Sequence, residues 1–186
     1  MKNRKLQTII LSVVTLASIA VIIFIVTKLK DQGEFLVYKS DQYHFQLQYP
    51  KTWQIGKPIE NVAVWFVAPS EGALDSFQES VNIIVQDLRK SPMSLSMYSE
   101  MAVKQMKAVF ENNLEIVEKK PVRLSGLPAY KFNYYGKSNA GRTYEFLHVW
   151  TIKNDIAYQV SFTASSESFD DYLPVVQSMM KSFEVY

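Results

Sequence analysis

Two periods of apolar and polar positions run through residues 35–186, and each predicts a different element. Tyr43, Phe45, Leu47 and Tyr49 alternate with His44, Gln46 and Gln48, the period of a strand with one wet face. Ile156, Tyr158, Val160 and Phe162 alternate in the same way with Ala157, Gln159, Ser161 and Thr163. Residues 62–68 and 80–88 are apolar on both faces, which predicts interior strands, and residues 35–39 form a shorter apolar run. Residues 114–124 read as a strand broken by Pro121. Residues 129–135 and 143–153 predict a hairpin around a polar, glycine-bearing loop. On the second of these strands Tyr144, Phe146, His148, Trp150 and Ile152 share one face, and Leu147 and Val149 share the other. The His148 imidazole is therefore expected in the core.

Helical spacing replaces alternation twice. Tyr98, Met101, Ala102, Met106, Val109 and Phe110 recur at threes and fours across residues 94–113, with Ser94 or Ser96 to cap the start and Asn112-Asn113 to close it. Phe169, Tyr172, Leu173, Val176, Met180 and Phe183 line a second stripe. There Ser168 and Asp171 have the spacing of a capping box, and Pro174, suited to a first turn, predicts a regular helix over residues 173–181 after a tighter turn. The order of elements predicts an α+β fold: a mainly antiparallel sheet with helices on both faces, an α/β/α sandwich.

The first thirty residues follow another rule. Residues 6–27 are 22 consecutive residues without a charge. As a helix they would span roughly 33 Å, enough for the ~30 Å hydrocarbon core of a bilayer. Lys2, Arg4 and Lys5 precede the run, which places the N-terminus in the cytoplasm and the rest of the chain outside. A cleaved signal peptide is the rival reading, with Ser18-Ile19-Ala20 as its small-x-small site; the mature chain would then begin on six apolar residues. The expected organisation is a cytoplasmic tip and signal anchor over residues 1–30, a linker over 31–34, and one extracytoplasmic domain over 35–186.

Charge supports that division. The net charge of +2 combines a segment, residues 1–30, with five basic residues and no acidic one, and a remainder with 15 basic and 18 acidic residues. A net-acidic domain on that side of the membrane argues against a nucleic-acid partner. The absence of cysteine excludes a disulfide scaffold, a thiol nucleophile and a Cys-ligated zinc. No Gly-x-Ser-x-Gly and no glycine-rich phosphate loop occurs, so no catalytic residue and no cofactor are expected, and the chain is not read as an enzyme. Glu167, Asp170 and Asp171 form the densest acidic group; either they favour a helix start or, with His44, they are weak candidates for a calcium or manganese contact. Tyr134 and Tyr135 face opposite ways on a strand, so one of them is the candidate for contact with a protein partner.

A family pattern emerges from these elements taken in order. Phe45-x-x-x-Tyr49-Pro50-x-x-Trp53 comes first, then a strand-loop-strand, the helix opening at Ser94, and Leu124-x-Gly126-x-Pro128-Ala129. A hairpin, Ala157-Tyr158-x-Val160-x-Phe162, and Phe169…Tyr172…Ser182-Phe183 complete it. Over residues 35–186 the chain resembles the PsbP family, whose Mog1/PsbP fold is an α/β/α sandwich. The resemblance implies a non-enzymatic domain that binds or stabilises a protein complex; the alternative reading is a small-ligand or metal-ion (calcium or manganese) binding domain with a pocket between sheet and helix. Photosynthetic members lie in the thylakoid lumen and help retain calcium and chloride at the oxygen-evolving centre. This chain carries an anchor in place of a plant transit peptide, so only the fold and the style of function carry over, and no ligand residue does.

Overall fold

The computed structural model describes residues 33–73, 75–110, 113–138 and 141–186. The expected membrane anchor and Asn112 lie outside the described residues. Among the described residues no helix is long and apolar enough to cross a membrane. Residues 35–186 form one compact unit. Its strands are β1 (Phe35–Ser40), β2 (Phe45–Pro50), β3 (Gln54–Ile55), β4 (Val64–Val67), β5 (Ser80–Asp87), β6 (Leu114–Leu124), β7 (Leu127–Lys137), β8 (Thr143–Lys153), β9 (Ile156–Ser165) and β10 (Glu184–Val185). The helices are α1 (Leu95–Phe110) and α2 (Phe169–Ser182). The strands make a seven-stranded sheet of order β3-β4-β5-β9-β8-β7-β6 and a three-stranded sheet of order β1-β2-β10. Every pairing is antiparallel. The fold is α+β with antiparallel sheets and two helices.

Two tight turns set the register of the large sheet. Asn154 (φ 52°) and Asp155 (φ 56°) join Lys153 to Ile156, and Ser125 (φ 54°) and Gly126 (φ 72°) join Leu124 to Leu127. Positive φ at both central residues is what a two-residue hairpin with right-handed strand twist requires, and Asn, Asp and Gly tolerate it best. Gly126→Ala meets no steric neighbour but keeps the left-handed φ; the expected loss is about 1 kcal/mol, read as a lower denaturant midpoint at unchanged slope.

Alternation along the central strands sorts the core into two clusters. Leu147, Val149, Val160 and Phe162 pack with Val176, Met179 and Phe183 of the α2 region and with Phe45 and Leu47 of β2. Phe132, Tyr134 and Trp150 pack with Tyr98, Ala102 and Val103 of α1. Ser94 caps α1, its hydroxyl accepting the Met97 N–H at 3.2 Å.

Four expectations need correction. His44 does not sit on a wet strand face: it lies in the β1–β2 turn at φ 55°, where the chain reverses. Pro121 does not break its strand, because β6 is the edge of the sheet. Counting back from the Leu124–Leu127 pair that closes the turn, Pro121 falls where a strand residue turns its N–H outward, so no ladder bond is lost. The last helix starts at Phe169 and keeps Pro174 inside it. The bond Pro174 cannot make would go to the carbonyl of Asp170, an exposed residue near the helix start, where water can replace it. Finally, Ser168 stands at the N-cap but its side chain makes no capping bond, since its hydroxyl is turned toward Glu79.

Candidate functional site

The loop that brings the chain from β4 to β5 is held by its own polar groups. Asp75 accepts the N–H of Glu71 and of Phe77, both at 3.0 Å, and these bonds hold its carboxyl below the usual carboxylate range. Gln78 donates to the carbonyl of Ala68 at 3.0 Å, and the Ala68 N–H donates to the carbonyl of Glu79 at 2.8 Å. The loop therefore delivers Glu79 to the end of β9 with its side chain directed inward; the residue is 3% exposed.

A buried carboxylate is costly unless donors surround it. Glu79 Oε1 accepts the Ser168 hydroxyl and, at 3.5 Å, the Ser165 N–H. The Ser165 and Ser168 hydroxyls are themselves 2.7 Å apart. This network ties the loop to the start of α2. Above it opens a cleft of about 620 Å³ with Glu71, Asp75, Glu167 and Asp171 around it and Arg142 on the β7–β8 side. Phe77 and Tyr144, with ring centroids 4.7 Å apart, form its aromatic wall. Tyr172 donates to Glu71 at 2.9 Å; burial and then that carboxylate push its phenol up. The cleft is acidic, polar and fixed at its floor, so it suits recognition of basic groups.

The residues singled out from sequence are dispersed. Glu167 and Asp171 line the cleft. Asp170 is exposed on α2, near Tyr135. His44 lies against the ring of Tyr186 at 6.0 Å, in the β1–β2 turn. Among the described residues no three His, Asp or Glu side chains gather closely enough to hold a metal ion. Tyr134 is 2% exposed, stacked on Phe146 at 4.8 Å, and burial pushes its phenol up; it contacts the core and not the surface. Tyr135 is partly buried, and the neighbouring Glu145 carboxylate raises its phenol. His148 is partly buried between Tyr134 and Phe146, with Gln159 Nε2 at 3.4 Å from Nδ1; burial pushes its imidazole down to about 4. The sequence carried no sign of Glu79, because its partners lie 86 and 89 residues away.

The PsbP family model matches residues 33–185. No curated protein sequence matches the chain. Among solved structures, the cyanobacterial PsbP (CyanoP) of Synechocystis sp. superposes with a TM-score of 0.61 at 13% identity, covering 83% of this chain and 94% of its own. LpqN of Mycobacterium tuberculosis, described as involved in cell envelope biogenesis, has a TM-score of 0.57 at 11% identity over 84% of this chain and 86% of its own. The Ran-binding protein Mog1p of Saccharomyces cerevisiae has a TM-score of 0.57 at 11% identity over 82% of this chain and 96% of its own. At such identities the likeness concerns the fold. With the family match running from the residues before β1 to the end of β10, the chain belongs to the PsbP family.

Proposed function

We propose that this chain is a membrane-tethered, non-enzymatic PsbP-family domain held outside the cytoplasm, where it binds and stabilises another protein or a membrane complex. The observation that carries the reading is the joining of a family-matched domain to 22 uncharged residues with basic residues before them. Such a run suits a single span with the N-terminus inside. Two structural neighbours, a Ran-binding protein and a protein involved in cell envelope biogenesis, support protein partnership and an envelope location. We read the two helices as layers on opposite faces of the large sheet, supported by the two clusters that alternate along β8. The acidic cleft would meet basic side chains of the partner.

Affinity capture of the full chain from cross-linked membranes tests this. The expected result is a defined set of proteins absent when the same residues 1–34 carry an unrelated domain. Identical sets would contradict the reading.

A further inference from the structure

The outer edge of the large sheet carries a self-complementary pattern. β6 is the last strand of that sheet, so one side of its backbone has no neighbouring strand among the described residues. Such an edge is a template for another strand unless the sequence blunts it. The far end is blunted: Pro121 and Arg123 are exposed, and Pro121 removes an outward N–H. Residues 114–118 carry no lysine, arginine or proline. Ile116 and Val117 are 43% and 49% exposed, at a bulge where Val117 has no partner on β7.

Charge then selects the occupant. Glu118, the residue after the bulge, is paired with Lys120 at 2.5 Å and with Lys131 at 2.6 Å. Glu115 has no ion-pair partner among the described residues; its electrostatic neighbour is Tyr135, across the ladder on β7. Because of the bulge, Glu115, Glu118 and Lys120 share one face of the strand, while Ile116 and Lys119 share the other. Laid antiparallel on a second copy about a two-fold axis between Val117 and Glu118, the strand brings Glu115 of each copy opposite Lys120 of the other. The row then runs Lys131, Glu118, Lys120 of one copy and Glu115 of the other, alternating in sign. The same register sets Ile116 opposite Lys119 and Val117 opposite Glu118 of the other copy, and brings the Val117 residues of the two copies close to the axis and to each other. A two-fold contact of this kind is closed and uses one patch twice.

We propose that the middle of β6 is a homodimer interface, in which two copies of this chain pair edge to edge over residues 115–120. It does not depend on the membrane tether and can fail or hold independently of it. The chain has no cysteine, so a single one reports on proximity without background. In the full chain in micelles, Val117→Cys treated with a short bis-maleimide is expected to give a covalent dimer, whereas Ile55→Cys, equally exposed on β3, is expected to stay monomeric. Adding Lys120→Glu is expected to cut the dimer yield about fivefold by placing like charges opposite each other. Adding Glu115→Lys to that variant is expected to restore it, which a merely structural effect at Lys120 would not do. Cross-linking of Val117→Cys no greater than of Ile55→Cys, or a charge swap that restores nothing, overturns the proposal.

Discussion

Trp150→Ala is expected to lower the unfolding free energy by about 4 kcal/mol, the range for emptying a large aromatic site in a core. Trp150 is fully buried on β8, with Tyr98 and Phe132 ring centroids at 6.5 Å and 6.3 Å. Its indole N–H donates to the Ser99 hydroxyl at 2.7 Å, and that hydroxyl donates onward to the Leu95 carbonyl at 2.6 Å. One side chain therefore both fills the space beneath α1 and fixes the helix along its axis. Truncation leaves a cavity and strips the buried Ser99 of a donor. Trp150→Phe separates the two roles: it keeps most of the volume, loses the indole N–H, and is expected to cost about 1–2 kcal/mol. Denaturant unfolding measures both. Equal losses for the two variants would show that the hydrogen bond, and not the packing, carries the energy.

Acidification is expected to act through His148. Its imidazole is neutral in the fold, pushed down to about 4 by burial, against an ordinary value of 6.5. Around it lie Tyr134, Phe146 and Gln159, with Phe132 and Ser161 opposite it on the flanking strands, none of them charged at neutral pH, and Gln159 presents an amide nitrogen to Nδ1, which suits an imidazole acceptor and not an imidazolium. The unfolded chain therefore binds a proton that the folded chain refuses between about pH 6.5 and 4. The contribution of His148 is at its best above pH 6.5 and falls by about 2–3 kcal/mol as the pH drops through that window. His148→Gln cannot charge and is expected to lose that slope. The other acid-labile groups are common to both proteins, so the difference between the two stability curves isolates it. Parallel curves would contradict the assignment.

The parts of this fold that could be read in advance are those set by near neighbours. Alternation along β8 and β9 named the two faces correctly down to Trp150 and Val160, because strand period is a local property and both faces are buried. Ser94 was readable as a cap for the same reason. What escaped depends on distant chain. Strand β10 exists only because Glu184 and Val185 find Gln46 and Phe45 of β2. Ser168 has the spacing of a capping residue, yet a buried carboxylate from the β4–β5 loop claims its hydroxyl. Pro121 looked like a breaker because sequence does not say that β6 is an edge. Tyr134 and Tyr135 were correctly placed on opposite faces; only the layer of α1 decides that Tyr134 is the buried one. The cleft was legible in part: Glu167 and Asp171 line it, whereas Glu71, Asp75 and Glu79 arrive on a loop with no motif of its own.

Whether the PsbP-family domain is tethered outside the cytoplasm can be read from single cysteines in a chain that has none. Asn3→Cys and Lys90→Cys, the latter exposed after β5, are treated in separate cells with a maleimide that cannot cross the cytoplasmic membrane. With the domain outside and the N-terminus inside, Lys90→Cys is expected to be labelled in cells whose cytoplasmic membrane is intact, and Asn3→Cys only after lysis. Labelling of Lys90→Cys only after lysis would contradict it.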